Sequence, residues 1–252
     1  MVYKEFEILN GNALESADGI SLSDTLRALR WSNPSRALDI RSRKNATHFG
    51  FVSQGMVQLD TESGGFQLSA GMYFAIPGAL TITPWAPTEA SAKPAASHLT
   101  SQNNDRQENL GFVVSMENYR SFPHLGGPIE STGRLRYIDG CSDSLLVPPV
   151  MLGDPCLNLL HLPPGVRQSF HTHPSLRLGM IVRGAGWCLT ADRRTALLPG
   201  QLFFIPPDSV HCFHTEDESL LIIAFHPDSD FGPTHENHPM INRTILTPLA
   251  EH

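Results

Sequence analysis

The sequence predicts an all-β protein made of two related domains. Three observations lead to this prediction. Turn-forming residues are abundant, with 20 Gly and 20 Pro among 252 residues, and many short apolar runs lie between them. An internal repeat also relates the two halves of the chain. Because 40% of the residues are hydrophobic, the chain is able to bury a sizeable core.

One N-terminal segment is predicted to be helical. In the stretch SLSDTLRALRW, near residues 21–31, Leu22, Leu26 and Leu29 follow one another at helical spacing. Elsewhere, alternating and short apolar runs favour strands. We expect strands in FVSQGMVQLD, GFQLSAGMYFAI, GFVVSM, CLNLLHL, LGMIVRG, GQLFFI and SLLIIAF.

The repeat relates landmarks that lie a constant 129 residues apart. HFGFVSQG corresponds to RLGMIVRG, and SAGMYFAIPG corresponds to LPGQLFFIPP. The matched pairs are Gly55 with Gly184, Gly71 with Gly200, and Pro77 with Pro206. We therefore expect one domain at residues 1–122 and a second at 123–252, joined by the Gly- and Pro-rich segment SFPHLGGPIESTGR. The polar stretch at 86–109 is expected to be a surface loop of the first domain.

Composition excludes several classes of protein. The net charge of −7 and the lack of basic runs argue against a nucleic-acid surface. No apolar stretch approaches 18 residues, so we expect no membrane span. The N-terminus MVYKEFEILN lacks the basic and apolar blocks of a secretory signal. Four scattered cysteines fit a reducing compartment, and we expect a cytoplasmic protein.

Three histidines of the second half have the spacing of metal ligands. His171 and His173 project from the same face of an extended segment, because side chains two residues apart on a strand share a face. His211 follows the turn FFIPPDS and begins a new strand. Neutral imidazoles suit Fe, Cu, Zn and Ni. We therefore predict a site for one divalent transition metal.

These motifs resemble those of the cupin superfamily. The pattern G-x5-H-x-H, beginning at Gly165, resembles the first cupin motif. LPGQLFFIPPDSVH, which ends at His211, resembles the second. Together with the repeat, they make the chain similar to a bicupin. The resemblance implies two tandem jelly-roll β-barrels, with a metal held in the C-terminal one.

The chain departs from the cupin pattern in two places. The repeat offset puts Ser42, Lys44 and Ile82 where the second domain has its histidines, so we expect no such metal in the first domain. The fourth ligand of the family, a Glu, is replaced by Arg177. The resemblance therefore implies a three-His site like that of cupin dioxygenases. We expect Fe(II), with Zn, Cu, Ni and Mn as alternatives.

Several further residues are candidates for contact with substrate. If the strand alternates regularly, Ser175 and Arg177 share the face of His171, and the guanidinium would bind a carboxylate. If Pro174 interrupts the alternation, Arg177 points to solvent instead. Gln168 and Phe213 are the other candidate substrate contacts.

The polar tail from His226 onward has two interpretations. It either closes over the barrel mouth and supplies an acid–base pair such as His226 with Asp228, or forms a solvated extension. We favour the extension, but keep His226 as a candidate catalytic residue.

Three functions fit these features. The first is a three-His Fe(II) dioxygenase or related oxidoreductase acting on a small anionic substrate. The second is a lyase, decarboxylase or isomerase that uses Zn, Ni or Mn without redox chemistry. The third is a module that binds a small molecule without chemistry. A homodimer would cover exposed sheet edges and is a further expectation.

Overall fold

The computed structural model describes residues 5–10, 12–15, 18–32, 37–40, 45–84, 109–241 and 244–245. Within these ranges 20 strands form four antiparallel sheets, accompanied by short 3₁₀ turns at Asn12–Glu15 and Ile138–Gly140. The all-β prediction is confirmed. Ser42, Lys44 and the expected surface loop, as far as residue 108, lie outside the described residues.

The first half of the chain forms a six-stranded and a four-stranded sheet. The six-stranded sheet has the order β11 (His124–Gly126), β8 (Tyr73–Pro77), β5 (Ala46–Gln54), β10 (Leu110–Glu117), β3 (Leu26–Ser32) and β2 (Ile20–Ser21). The four-stranded sheet has the order β4 (Leu38–Asp39), β9 (Leu80–Pro84), β6 (Met56–Thr61) and β7 (Gly64–Ser69).

The second half forms a seven-stranded and a three-stranded sheet. The larger sheet has the order β1 (Glu7–Leu9), β18 (Leu202–Ile205), β15 (Arg177–Gly184), β20 (Leu220–His226), β14 (Cys156–Leu162), β13 (Ser142–Val147) and β12 (Leu135–Arg136). The smaller has the order β17 (Arg194–Leu197), β16 (Gly186–Leu189) and β19 (Cys212–His214).

The same strand order appears in both halves. The series β8-β5-β10-β3 of the six-stranded sheet has its counterpart in β18-β15-β20-β14 of the seven-stranded sheet. In the small sheets, β9-β6-β7 corresponds to β19-β16-β17. The N-terminal strand β1 does not join its own half, because Glu7–Leu9 pairs with Leu202–Phe204 of β18.

The helix predicted near residues 21–31 is wrong, because β3 occupies most of that segment. β3 pairs with β10 along its whole length. Both of its faces are buried: Leu26 and Ala28 belong to one apolar cluster, and Leu29 and Trp31 to another. Burial on both faces removes the polar alternation of a one-sided strand and leaves leucines at a helix-like spacing.

Among the described residues, three apolar clusters make up the core. One draws on the six- and four-stranded sheets, and a second draws on the seven- and three-stranded sheets. The third joins the two large sheets, with the rings of Phe49 and Phe225 5.1 Å apart. The two halves are therefore packed against each other through apolar side chains from their large sheets.

His48 is a fully buried core residue of the first half. Its Nδ1 hydrogen-bonds the Ser115 hydroxyl at 2.8 Å, and its Nε2 hydrogen-bonds the Gly78 carbonyl at 2.9 Å. Ile82, at the position that the repeat offset relates to His211, is also fully buried and apolar. In the described part of the chain, no helix has the length and hydropathy needed to cross a membrane.

Candidate metal centre

Main-chain pairing brings the three predicted histidines together. His171 and His211 form an isolated antiparallel bridge, in which each backbone N–H donates to the other's carbonyl at 3.0 Å. Directly opposed residues of an antiparallel pair present their side chains on the same face. His173 lies two residues on, and its carbonyl accepts a 2.7 Å hydrogen bond from the N–H of Asp208. The turn before His211 is thereby tied to the HxH segment.

The three imidazole rings form a compact group. Their centroids are 4.6 Å apart for His171 and His211, 5.0 Å for His171 and His173, and 5.2 Å for His173 and His211. One nitrogen from each ring lies within 4.8 Å of the others. Nitrogens bound to one ion at about 2.1 Å lie up to about 4 Å apart. The group is thus assembled at nearly the spacing that ligation requires.

Hydrogen bonds at the outer nitrogens leave the inner ones free for a metal. Nδ1 of His171 donates to the Ser169 carbonyl at 2.9 Å, and Nδ1 of His211 donates to the Ser209 carbonyl at 2.8 Å. A carbonyl only accepts, so Nδ1 carries the proton and Nε2 keeps its lone pair. Nε2 of His211 is buried, and no described residue forms a hydrogen bond with it. Such an orphaned acceptor beside two other imidazoles fits a bound divalent ion.

The surroundings keep two of these imidazoles, those of His173 and His211, neutral. Burial and, to a smaller extent, the positive charge of Arg177 lower the pKa of His173 to about 3. Burial likewise lowers the pKa of His211 to about 4. Both rings are therefore ready to bind a metal at neutral pH without first losing a proton.

The three histidines line a cavity of about 220 Å³ on the inner side of the second-half sheets. Most of its wall is apolar, with Phe203, Ile205 and Ile222 among the lining side chains. This volume suits a small ligand, because pockets for drug-sized molecules are larger.

Arg177 lines the same cavity, although residues 174 and 175 form a bend and strand β15 begins only at Arg177. It begins β15 opposite Ile205, and 9% of it is exposed. Its Nη1 donates to the Ser175 hydroxyl at 2.5 Å and to two backbone carbonyls, whereas its buried Nε has no hydrogen-bond partner in the described part of the chain. Burial lowers the pKa of Arg177, and Asp228 opposes that effect, but a guanidinium stays charged in proteins.

Ser175 and Gln168 are held by the protein itself. The Ser175 hydroxyl donates to the Asp228 carboxylate and accepts from Arg177. Gln168 lines the cavity, but its Nε2 donates to Sγ of Cys141 at 3.3 Å and its Oε1 accepts from the N–H of Phe213 at 3.1 Å. Both side chains therefore fix their neighbours in place.

Phe213 and His226 also line the cavity that contains the three histidines. The Phe213 ring lies 5.7 Å from the His211 ring, edge to face. His226 ends β20 and shares its inner face with Ala224. Burial lowers the pKa of His226 well below its usual value, and the charge of Arg177 adds to this effect. The ring is therefore a neutral acceptor within the cavity.

Four polar residues of this cavity were not predicted from the sequence: Arg136, Tyr137, Asp143 and Asn158. Asp143 on β13 and Asn158 on β14 both line it, and the Asn158 amide donates to the Asp143 carboxylate. Burial raises the pKa of Asp143 to about 6. The one sequence signal was Asn158 itself, a polar residue within the apolar run CLNLLHL.

Comparison with known proteins adds a family match and structural neighbours. A family model for the AraC-like ligand-binding domain matches residues 163–236, which include the histidines, Arg177 and His226. Comparison with curated protein sequences finds no significant match. A cupin 2 conserved barrel domain protein from Leptotrichia buccalis is similar in structure, with 11% identity, 90% of this chain and 91% of that chain covered, and a TM-score of 0.57. The fold is of the cupin type.

Two other cupin-fold neighbours are enzymes. Salicylate 1,2-dioxygenase from Pseudoaminobacter salicylatoxidans is 13% identical, with 87% of this chain and 73% of that chain covered and a TM-score of 0.55. Bacillus subtilis oxalate decarboxylase, which has Mn(II) centres, is 11% identical, with coverages of 84% and 71% and a TM-score of 0.50. At these identities the similarity establishes the cupin fold, which hosts many chemistries.

Proposed function

We propose that this protein is a metal-dependent enzyme, a three-His Fe(II) dioxygenase that acts on a small anionic substrate. The observation that carries the proposal is the shared cavity, where three imidazoles with nitrogens within 4.8 Å of one another lie beside a buried guanidinium. Three neutral ligands leave a divalent ion with its full charge, which favours an anion next to it. Fe(II), when bound, supplies redox chemistry with O2.

The residues of the chain bind and orient the substrate. Nε of Arg177 is free to donate to a carboxylate, and Nη1 is anchored by Ser175, so the guanidinium is fixed before the ligand arrives. Phe213 and Phe203 present apolar surface that excludes water. His226, a neutral imidazole in the same wall, is placed to accept a proton.

The experiment that tests this proposal measures oxygen uptake. Protein reconstituted with Fe(II) is mixed with a panel of small carboxylates and phenols, and the Zn-loaded protein serves as the control. We expect substrate-dependent uptake with Fe(II) and none with Zn. Arg177→Gln should raise KM for the active carboxylate about tenfold or more, with Arg177→Lys intermediate, because Lys keeps the charge but loses the planar donors. The absence of uptake across the panel would reject the dioxygenase.

A metal enzyme without redox chemistry is the second candidate, and Asp143 favours it. A buried carboxyl group with a pKa of about 6 is well matched to acid–base catalysis near neutral pH. Under nitrogen, protein loaded with Zn, Ni or Mn would then convert a carboxylate without O2. An O2 requirement for all turnover would exclude this candidate.

A non-catalytic binding module is the third candidate, and the family match favours it. The matching model describes ligand-binding domains. Saturable binding of a small acid without turnover under any metal or gas would support this function. Detectable turnover would reject it.

The proposal includes a two-domain arrangement. The first cupin domain spans 1–122 without metal, and the second spans 123–252 with the metal site. The two halves have the same strand order, which supports this division, and so does the apolar Ile82 at the position that corresponds to His211.

A cytoplasmic location is supported by the four cysteines, none of which forms a disulfide bond. We also propose a homodimer, which analytical ultracentrifugation would test by measuring the mass of the protein in solution.

A further inference from the structure

An acceptor pair in the cavity wall has no role in the dioxygenase function proposed above. Nδ2 of Asn158 donates to both carboxylate oxygens of Asp143, at 3.1 and 3.2 Å. The amide is thereby oriented with its oxygen directed away from the carboxylate. That oxygen, Oδ1 of Asn158, is buried and has no hydrogen-bond partner among the described residues. Asn158 is 8% exposed, so bulk water does not readily satisfy it.

An unpaired buried acceptor is costly unless something occupies it. Leaving such a group unsatisfied costs about 1–3 kcal/mol, and native proteins keep few of them. Leu160 and Ala224, the neighbours of Asn158 on the same wall, are apolar, and Tyr137, which also lines the cavity, makes no hydrogen bond to Oδ1. A donor on a ligand is the natural partner.

The cavity also has an unpaired donor, Nε of Arg177. Two residues that line the cavity thus carry an unmatched polar atom: a donor on the cationic Arg177 and an acceptor on Asn158, beside a carboxyl group. A ligand that satisfies both has an acidic group and, separately, a hydroxyl or amino group. An acid without that second group would bury Oδ1 of Asn158 unpaired, and sites of this kind discriminate strongly against such analogues.

We propose that the cavity selects a small hydroxy acid or amino acid, whose carboxylate binds Arg177 and whose hydrogen-bond donor binds Asn158 and Asp143. The proposal rests on the proposed function for the anionic character of the ligand and adds the second group. Asp143 strengthens the acceptor pair, because an ionised carboxylate attracts a donor more strongly than a neutral amide does.

The test compares acids that differ in one group. Propanoate, L-lactate and L-alanine share a three-carbon skeleton and carry no donor, a hydroxyl and an ammonium group, respectively. Benzoate and 2-hydroxybenzoate form a matched aromatic pair. Dissociation constants are measured by calorimetry on metal-free and on Zn-loaded protein. We expect at least one donor-carrying acid to bind about tenfold or more tightly than its parent. Preference for lactate or 2-hydroxybenzoate identifies a hydroxy acid, and preference for alanine identifies an amino acid.

Variants of the pair connect the preference to these residues. Asn158→Leu and Asp143→Asn should each reduce the preference at least about threefold, because each removes an acceptor for the donor group of the ligand. His161→Asn is the matched control on the same strand, outside the cavity lining, and should keep the wild-type preference. Circular dichroism and the Tm of each variant identify any that fails to fold, and the other variant then provides the test.

Two results would overturn the inference. One is equal affinity for parent and donor-carrying acids, or binding of none of the donor-carrying acids, by folded wild-type protein. The other is a preference that survives unchanged in both variants. Metal content and turnover are measured on the same samples. A preference for donor-carrying acids, without bound metal or turnover, would reject the enzyme function but keep this inference. A metal-loaded, active enzyme without the preference would reject this inference but keep the enzyme function.

Discussion

At the scale of single residues, hydrogen bonds on the outside of each ring determine what faces the cavity. The Ser169 and Ser209 carbonyls fix the proton on Nδ1 of His171 and His211, so the inner nitrogens remain acceptors. The spacing of the HxH motif predicted that two rings share a face. It did not predict this tautomer, because the accepting carbonyls belong to backbone whose course depends on the fold.

The low pKa values of His173 and His211 predict how the metal-free protein responds to acid. Both pKa values lie below the usual 6.5, at about 3 and about 4. As pH falls from 7 toward 4, the unfolded chain takes up protons at these positions and the folded chain does not, so stability falls. Asp143 acts in the opposite direction, because its pKa in the folded state is raised to about 6.

Calorimetry of metal-free protein checks this balance. Since two histidines, joined by His226 with its lowered pKa, outweigh one carboxyl group, we expect Tm to decrease between pH 7.5 and pH 5. The double variant His173→Gln/His211→Gln should show a shallower decrease. A Tm that is constant or rises on acidification would show that these rings are not buried as neutral groups.

At the scale of the strands, alternation predicted most segments and failed where both faces are buried. β20 ends at His226 as the run SLLIIAF indicates. β3 was mistaken for a helix because its two faces belong to different clusters. The Asp143–Asn158 pair joins β13 and β14, whose pairing register sequence alone does not give. For the same reason, the hydrogen bonds of Gln168 with Cys141 and Phe213 were not predicted from the sequence.

Two glycines of the second half test how tightly the chain packs where strands end. Gly184, at the end of β15, has φ +81°, and a Cβ there would lie 1.7 Å from the Ser219 carbonyl oxygen. Gly165 has φ +75°, but a Cβ there would meet nothing within 4 Å. Gly165→Ala should therefore cost only the backbone term, about 1–2 kcal/mol.

Gly184→Ala adds a main-chain clash to that backbone term, so its free energy of unfolding should fall by at least about 1 kcal/mol more than that of Gly165→Ala. Urea denaturation measures both variants. If both variants lose the same free energy of unfolding, the close approach of β15 to Ser219 does not add to the cost of the substitution.

At the scale of the whole molecule, one apolar cluster unites the two large sheets. Phe49 and Phe225 meet within it, and β1 crosses from the first half of the chain to pair with β18. The 129-residue repeat indicated two related halves. It gave no indication of how they contact each other, because that depends on side chains facing outward from each half.

This shared cluster predicts one cooperative unfolding transition. Phe225→Ala should lower the free energy of unfolding by about 3–5 kcal/mol, because it leaves a cavity between the large sheets. Scanning calorimetry should show a single peak for both wild type and variant, with fluorescence and circular dichroism transitions that coincide. Two resolved peaks in the wild type would contradict the shared core.

The most direct test of the central claim is the metal content of purified protein after loading with Fe(II) or Zn. Elemental analysis compares wild type with His171→Ala, His211→Ala and the control His161→Ala, whose histidine lies on β14 outside the cavity lining. We predict about one ion per chain in wild type and control, and a loss of at least about tenfold in affinity in the other two variants. Equal metal in wild type and His171→Ala would contradict the three-His centre.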